Sequence, residues 1–469
     1  MSRILYTLGW YAATPLVALY LLWRSRRQPE YRQHWAERWG RFSVRRDDDR
    51  EPLIWIHAVS VGETRAAQPL LAALSASHPR AKLLLTCMTP TGRATAATLF
   101  ADLLASGRLV QAYLPYDYPH AVRAFLRAWR PAVGILLETE LWPNLVAGAR
   151  VKGVPLALVN ARLSASSLRK GLRWPSLIRP ALQGLSLVAA QTAGDAERIA
   201  ALGRAAEVVT GNMKFDVPPP PALVEQGRQW RRSLGGRPVV LAASTREGEE
   251  ALLLAAWARS RAAAPARPLL VIVPRHPQRF DDVAEAIVAT GLTVQRRSAW
   301  GEGSAAAPGA GVAAEPDDRG RRDADTGTAG QRSAGAVAGQ GEGEGADVLL
   351  GDSMGEMFAW YGMADVAIIG GSLLPFGAQN LIEACAVGVP VLLGPSTYNF
   401  AEAAEQAIGA GAALRVTDAA AALTGAVELL ADDDRRRRMS EAAHAFAAAH
   451  RGATQRTMDA LGPLLARLD

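Results

Sequence analysis

The sequence predicts an α/β protein built as two halves, each a parallel sheet covered by helices, with an apolar helix at the amino terminus. Three observations carry that expectation. From Pro52 onward short apolar runs alternate with Ala/Leu-rich segments of helical length, the rhythm of strand–helix–strand units. The run VPPPP, Val217 to Pro221, interrupts that rhythm, because consecutive prolines permit neither a helix interior nor a central strand, and a second set of apolar runs follows it. The length of 469 residues also exceeds one ordinary domain, which runs to roughly 100–200 residues.

Composition narrows the class. Hydrophobic residues make up 49% and charged residues 21%, enough for a core and inconsistent with wholesale disorder. Two cysteines, Cys87 and Cys385, exclude a disulfide scaffold and a cysteine-rich zinc module and fit a reducing compartment. The net charge is +7 and the pI near 9.7. Four of the 52 basic residues are lysine (Lys82, Lys152, Lys170, Lys214), so arginine is the default cation and nine arginines fall between Arg24 and Arg50. Nucleic acid, an anionic membrane and a nucleotide substrate all suit such a balance, and location has to decide among them.

Residues Ile4 to Trp23 carry no charge over twenty positions; at about 1.5 Å per residue that crosses a hydrocarbon core of roughly 30 Å. Arg24, Arg26 and Arg27 follow, which by the positive-inside rule puts the rest of the chain on the cytoplasmic side. A spanning helix is the first reading; Pro15 and the aromatics Tyr6, Trp10, Tyr11, Tyr20 and Trp23 weaken it, since they also suit a helix lying in the interface, and a buried helix is the third reading. The next stretch, Pro29 to Phe42, interleaves arginines with Trp35, Trp39 and Phe42 at helical spacing. It reads either as a helix on anionic headgroups or as a cap on the first domain.

The strands expected in the first half are PLIWIHA, AKLLLTC, VGILLET, PLALVNA, SLVAAQ and AEVVTG. Those of the second half are PVVLAAS, PLLVIVP, LTVQRR, DVLLGD, VAIIGG and VPVLLGP. The carboxyl ends of two such sheets would face a central cleft, where this architecture binds ligands. Residues 299–346, rich in Gly, Ala and charge, offer little apolar surface and read as a disordered insertion. The resulting division is 1–23 anchor, 24–50 basic aromatic segment, 51–217 first domain, 218–221 linker, 222–440 second domain and 441–469 terminal helices that pack back on the first domain.

Candidate chemistry gathers at strand ends. Gly62 and Glu63 follow the first strand, where a glutamate serves either as a helix cap or as an exposed general base. Glu138 and Glu140 end an apolar strand, as alternate residues that point to one side if the backbone stays extended. Lys214 stands before the proline linker, either a point charge for a phosphate or carboxylate or a solvated surface lysine. In the second half Pro274, Arg275 and His276 end a strand, and Asp352, Ser353, Gly355 and Glu356 open a helix. Gly370, Gly371 and Ser372 precede a helix carrying Asn380 and Glu383, an arrangement that offers amide groups to a phosphate. Neither G-x-G-x-x-G after the first strand nor G-x-x-x-x-G-K-[ST] occurs. Asp47 to Asp49 lie in the basic stretch, away from any strand end, and no metal-ligand cluster is evident.

Taken together, HAVSVGE, YLPYD, ETELWPN, NARLS, TG-x-x-KFD, ST-x-EGEE, VPRHP-x-RF, GD-x-MGE and GGS followed by N-x-x-E and GP run end to end through the chain. In this the sequence resembles the 3-deoxy-D-manno-octulosonic acid (Kdo) transferases of lipopolysaccharide assembly. The resemblance implies a GT-B fold of two Rossmann-like domains and an inverting transfer of Kdo from CMP-Kdo to a glucosamine hydroxyl of the lipid A precursor, lipid IVA. It implies Glu63 as general base, with Glu138 and Lys214 stabilising the transition state. It further implies that Pro274, Arg275, Met354, Gly355, Glu356, Asn380, Leu381, Ile382 and Glu383 bind CMP. Many relatives carry histidine where this chain has Gln379 and Arg246.

The implied partners are CMP-Kdo, the lipid A precursor and the anionic inner membrane, with the catalytic domains on its cytoplasmic face and no nucleic acid. No cofactor or metal is required on this reading, because one leaving phosphate can be met by arginine, lysine and helix amino termini. Transfer of a different nucleotide sugar, and a non-catalytic membrane-tethered binding protein for anionic lipid or nucleic acid, are the alternatives.

Overall fold

The computed structural model describes residues 2–43, 51–260, 267–300 and 345–468. The chain forms two compact units, Met1–Pro218 with Ala447–Asp469, and Pro219–Phe446. The division falls inside the proline run, and Pro221 opens the helix Pro221–Ser233 at its first position, where a missing N–H costs nothing.

In the amino-terminal unit β1 (Leu53–His57), β2 (Lys82–Cys87), β3 (Leu109–Tyr113), β4 (Val133–Leu137), β5 (Leu156–Ala161), β6 (Leu187–Ala190) and β7 (Val208–Val209) form one sheet. Its order is β3-β2-β1-β4-β5-β6-β7 and every pairing is parallel. Chain order reverses between β1 and β4, which makes their carboxyl ends the place where such sheets bind ligands. Both strands are buried at every residue, as a parallel sheet covered on two faces requires. The helix Ala453–Leu465 adds Ala453, Leu461 and Leu465 to the cluster that holds Ile54, Leu83 and Val133. The Asp216 carboxylate ties this helix down by accepting from the Gly452 and Thr454 N–H groups at 2.6 and 2.5 Å.

The carboxyl-terminal unit repeats the plan with β8 (Val239–Thr245), β9 (Leu269–Pro274), β10 (Val294–Arg296), β11 (Val348–Leu350), β12 (Val366–Ile369), β13 (Val391–Leu393) and β14 (Ala413–Arg415). The order is β10-β11-β9-β8-β12-β13-β14, again all parallel. Trp230, Trp300 and Trp360 meet in one cluster, with ring centroids 5.2 Å apart for Trp230 and Trp300 and 4.9 Å for Trp230 and Trp360. Trp300 is buried and therefore belongs to the fold, which corrects the expectation that the insertion begins at residue 299. Residues 301–344 of that insertion, and Asp47 to Asp49, lie outside the described residues.

The amino-terminal helix spans Arg3–Arg27 and, by length and composition, is long and apolar enough to cross a membrane. One stripe of it packs on its own unit. Thr7 exchanges hydrogen bonds with Asn144, Tyr11 meets His120 Nδ1 at 2.7 Å, and Thr14 meets Tyr118 at 2.8 Å. Trp10 stacks on Tyr116, and Leu21 and Ser25 are buried further along. The opposite stripe leaves Ile4, Leu5, Leu8, Leu16, Leu19 and Trp23 exposed.

The stretch from Pro29 to Phe42 differs from the expected single helix. It folds as two 3₁₀ turns, Pro29–Arg32 and Trp35–Trp39, broken at His34 and ended at Gly40, both left-handed. Gly40 is required there, since a Cβ would lie 2.7 Å from Ala121 Cα. Arg38 is buried with its guanidinium 3.9 Å from the Tyr113 ring centroid, Trp39 packs on Tyr116 and Tyr118, and Phe42 packs on Phe125 and Trp129. These groups cap the domain.

Candidate active site

The three carboxylates expected at strand ends all stand at the switch point of the first sheet. Glu63 lies in the helix Val61–Ala66 that follows β1. Its Oε2 accepts from the Val59 N–H at 2.7 Å and its Oε1 from Ser60 Oγ at 3.2 Å. The capping role is therefore real, and it fixes the carboxyl group in one place. Burial, followed by the charge of Glu138, pushes the Glu63 carboxyl up to about 8, with Glu140 adding to the rise and the two hydrogen bonds opposing it.

Glu138 and Glu140 depart from the expected geometry. The backbone turns at Glu138, which has a φ of 59°, so the pair does not alternate along an extended strand. Holding a non-glycine residue in the left-handed region costs on the order of 1 kcal/mol or more, and such residues cluster at functional sites. Glu138 is buried at 4% exposure and forks between two cations. Lys214 Nζ donates to Oε1 at 2.7 Å and Arg162 Nε to Oε2 at 2.8 Å. Burial raises its carboxyl, but the Lys214 and Arg162 charges outweigh that and hold it below the usual range. Glu140 instead accepts from Trp142 Nε1 at 2.6 Å, and burial pushes its carboxyl up. Beside it His57 is fully buried, meets Thr86 Oγ1 through Nδ1 at 2.8 Å, and is pushed by burial down to about 3, so its ring is neutral.

Lys214 reaches Glu138 because Asn212 caps the 3₁₀ turn Met213–Asp216, accepting from the Lys214 N–H at 3.0 Å. Asn160 Oδ1 receives the Met213 N–H at 3.1 Å, joining that turn to β5. The solvated-lysine alternative does not hold. Arg162 was legible only as part of NARLS, two residues beyond Asn160 at the end of a strand, and its pairing was missed. YLPYD and ETELWPN turn out to serve each other: Asp117 accepts from the Asn144 and Leu145 N–H groups at 2.9 and 2.7 Å and caps the helix Pro143–Val151.

In the second sheet the expected donor segments also lie beyond the carboxyl ends of strands, namely β9, β11 and β12. Arg275 follows Pro274 at the end of β9, and its Nε donates to Gln379 Oε1 at 3.2 Å. Asn380 Oδ1 accepts from the Ile382 N–H at 3.1 Å, just before the helix Ile382–Val387 that carries Glu383. Leu381 and Ile382 are buried, so their side chains are core and their backbone alone is offered. Met354 is exposed at 55%, and Gly355 has a φ of 91° with open space where a Cβ would stand. Glu356 is held by Arg297, whose Nη2 donates to Oε1 at 2.8 Å. Asp352 accepts from Arg296 Nε and from the Ser298 N–H, at 2.6 and 2.7 Å, so it braces the fold.

The glycine-rich loop is a correction. Gly370 backs onto β8 so closely that a Cβ would lie 2.4 Å from the Ser244 carbonyl oxygen. Its N–H goes to Ala243 O at 2.8 Å. The N–H groups of Gly371 and Leu373 go to the Glu249 carboxylate, at 2.6 and 3.0 Å. Glu249, fully buried at the start of the helix after β8, thus occupies the amides expected to meet a phosphate. Its neighbour Glu250 is gripped by Arg279 through both oxygens, at 2.7 and 2.9 Å. Arg246 lies over the Phe376 ring, 4.5 Å from its centroid. Among the described residues no group of three or more His, Cys, Asp or Glu side chains could hold a metal ion.

Two Rossmann-like units whose candidate chemistry stands at parallel-strand ends define a GT-B fold, the architecture of nucleotide-sugar enzymes. In agreement, a UDP-GlcNAc 2-epimerase from Neisseria meningitidis, solved with UDP-GlcNAc bound, superposes with a TM-score of 0.53 at 13% identity, over 88% of this chain and 100% of that one. The sequence is more specific. Residues 33–217 match the family described as 3-deoxy-D-manno-octulosonic-acid transferase (kdotransferase). The 3-deoxy-D-manno-octulosonic acid transferase of Bordetella pertussis is 47% identical over 464 residues, 98% of this chain and 99% of that protein. That of Haemophilus influenzae is 32% identical over the whole of both chains. The chain belongs to the Kdo transferase family and is a glycosyltransferase of that class.

Proposed function

We propose that the chain transfers Kdo from CMP-Kdo to a glucosamine hydroxyl of lipid IVA, inverting the anomeric centre and releasing CMP. The observation that carries this reading is Glu63, a carboxyl fixed at a strand end and pushed up to about 8 by burial and by Glu138 and Glu140. A carboxylate of that basicity takes a proton from an attacking hydroxyl far better than an ordinary one, and direct attack by that hydroxyl inverts the centre. Glu138, ionised and paired with Lys214 and Arg162, keeps two cations beside the base, suited to the anionic sugar in the transition state.

For the donor, Pro274, Arg275, Met354, Gly355, Glu356 and the segment from Asn380 to Glu383 would hold CMP. Arg275 supplies the charge for the phosphate. The occupied amides of Gly371 and Leu373 shift that duty from the glycine loop to side chains. On this reading no metal is needed, and transfer would persist in a chelator. The acceptor is a lipid, so the enzyme would work at the cytoplasmic face of the inner membrane. A monotopic placement of the helix Arg3–Arg27 is favoured, because one stripe along its length is already packed on the protein and the other is apolar and exposed.

The test is purified protein with CMP-Kdo and lipid IVA, the product read by mass spectrometry and its anomeric configuration by NMR. A product that retains configuration, or transfer from a different nucleotide sugar in preference, would overturn the proposal.

A further inference from the structure

The geometry points to a second lipid-contact element in the amino-terminal unit: the helix Ala165–Leu172 with Trp174, which would lie on an anionic bilayer surface. The inference rests on the membrane placement proposed above and adds a separate contact to it. The helix follows Arg162 and Leu163 directly, with Ser164 as its cap accepting from the Ser167 N–H at 3.1 Å.

None of its eight residues is buried. Helices shorter than about 12–15 residues are marginal in water unless an apolar face is packed. This one packs little: Leu168 touches the core, while Leu172 is 51% and Trp174 47% exposed. Arg169, Lys170 and Arg173 neighbour those two residues in sequence, all exposed, and among the described residues none of the three forms an ion pair.

The charge pattern extends well beyond the helix. From Leu141 to Gly194 the sequence contains Arg150, Lys152, Arg162, Arg169, Lys170, Arg173 and Arg179 and no aspartate or glutamate. In a chain whose acids and bases number 45 and 52, a segment of one sign with exposed apolar side chains has a specific complement. Tryptophan and leucine entering the headgroup region beside cations are how interfacial helices bind anionic lipid. The position is continuous with the amino-terminal helix. That helix packs on Pro143–Val151 and Pro175–Gln183, and Ala165–Leu172 adjoins the latter.

The experiment is co-sedimentation of the full chain with phosphatidylcholine vesicles, with and without phosphatidylglycerol. The charge variant Arg169→Gln/Lys170→Gln/Arg173→Gln is expected to lose most of the phosphatidylglycerol dependence. The apolar variant Leu172→Glu/Trp174→Glu is expected to weaken binding roughly tenfold. Far-ultraviolet circular dichroism and a cooperative melt show that each variant is folded. A parallel variant, Leu16→Glu/Leu19→Glu, reports on the amino-terminal helix. If that variant loses binding while the charge variant and the apolar variant bind as wild type does, the second contact is overturned and the monotopic reading stands. If the wild type binds neither vesicle, or takes up RNA instead, both are overturned.

Discussion

Lys214 Nζ donates to Glu138 Oε1 at 2.7 Å, across 76 positions of sequence and from a turn next to the proline run. Arg162 Nε holds the other oxygen at 2.8 Å. The carboxylate thus ionises in a buried setting because two cations flank it, and its negative charge in turn raises the neighbouring Glu63. Three motifs, ETELWPN, NARLS and the segment around KFD, meet in one electrostatic unit.

Lys214→Ala leaves Glu138 with Arg162 alone. Breaking one side of a buried ion pair is costly, and with the second cation still present the loss is expected near 2 kcal/mol. Denaturant melts read that loss, and transfer assays should show kcat reduced more than KM is raised. A variant with unchanged stability and rate would remove Lys214 from the site.

With Glu63 as the proposed base, the acid limb of the pH profile is expected to depend on Glu140. Its charge contributes to the elevation of Glu63 to about 8, so Glu140→Gln should move the rise in kcat/KM to lower pH. The same elevation has a stability consequence. From its ordinary 4.5 up to about 8, folded Glu63 retains a proton that the unfolded chain releases, so stability falls as pH rises through that window. Glu63→Gln should flatten that fall, which urea melts below and above the window would measure.

Glu249 gathers the N–H groups of Arg246, Gly371 and Leu373 at 2.8, 2.6 and 3.0 Å. Glu249→Ala strands several buried donors and should destabilise the carboxyl-terminal unit by about 3 kcal/mol or more. A calorimetric melt on the full chain, resolving that unit's transition, decides it.

Arg275 Nε donates to Gln379 Oε1 at 3.2 Å. Gln379→Ala removes that contact with the guanidinium and should weaken CMP binding several-fold, whereas Arg275→Ala should weaken it roughly tenfold or more, the loss of a charge-assisted contact. Isothermal titration with CMP would read both values. Equal affinity in all three proteins would take CMP away from this strand end.

The sheets were largely legible because buried parallel strands are continuous apolar runs, as LIWIH and LLVIV are. The two strands that escaped, Leu109–Tyr113 and Ala413–Arg415, are edges of their sheets, partly exposed and polar at one or more positions. Glu63, Glu138 and Lys214 were visible at their strand ends, but the Arg162 contact was not, because pairing depends on the left-handed turn at Glu138. The glycine loop misled for the opposite reason: its composition suits a phosphate, yet a buried glutamate from another strand end had already taken the amides. The aromatic spacing of Trp35, Trp39 and Phe42 likewise suits a membrane helix, yet Trp39 packs on Tyr116, and Phe42 on Phe125 and Trp129.

The most direct test of the account is single-turnover Kdo transfer to lipid IVA by Glu63→Ala, with CMP affinity measured on the same protein. The account predicts a fall of about 10²–10⁴-fold in rate, the usual worth of a general base, with CMP binding unchanged. Transfer at the wild-type rate would contradict it.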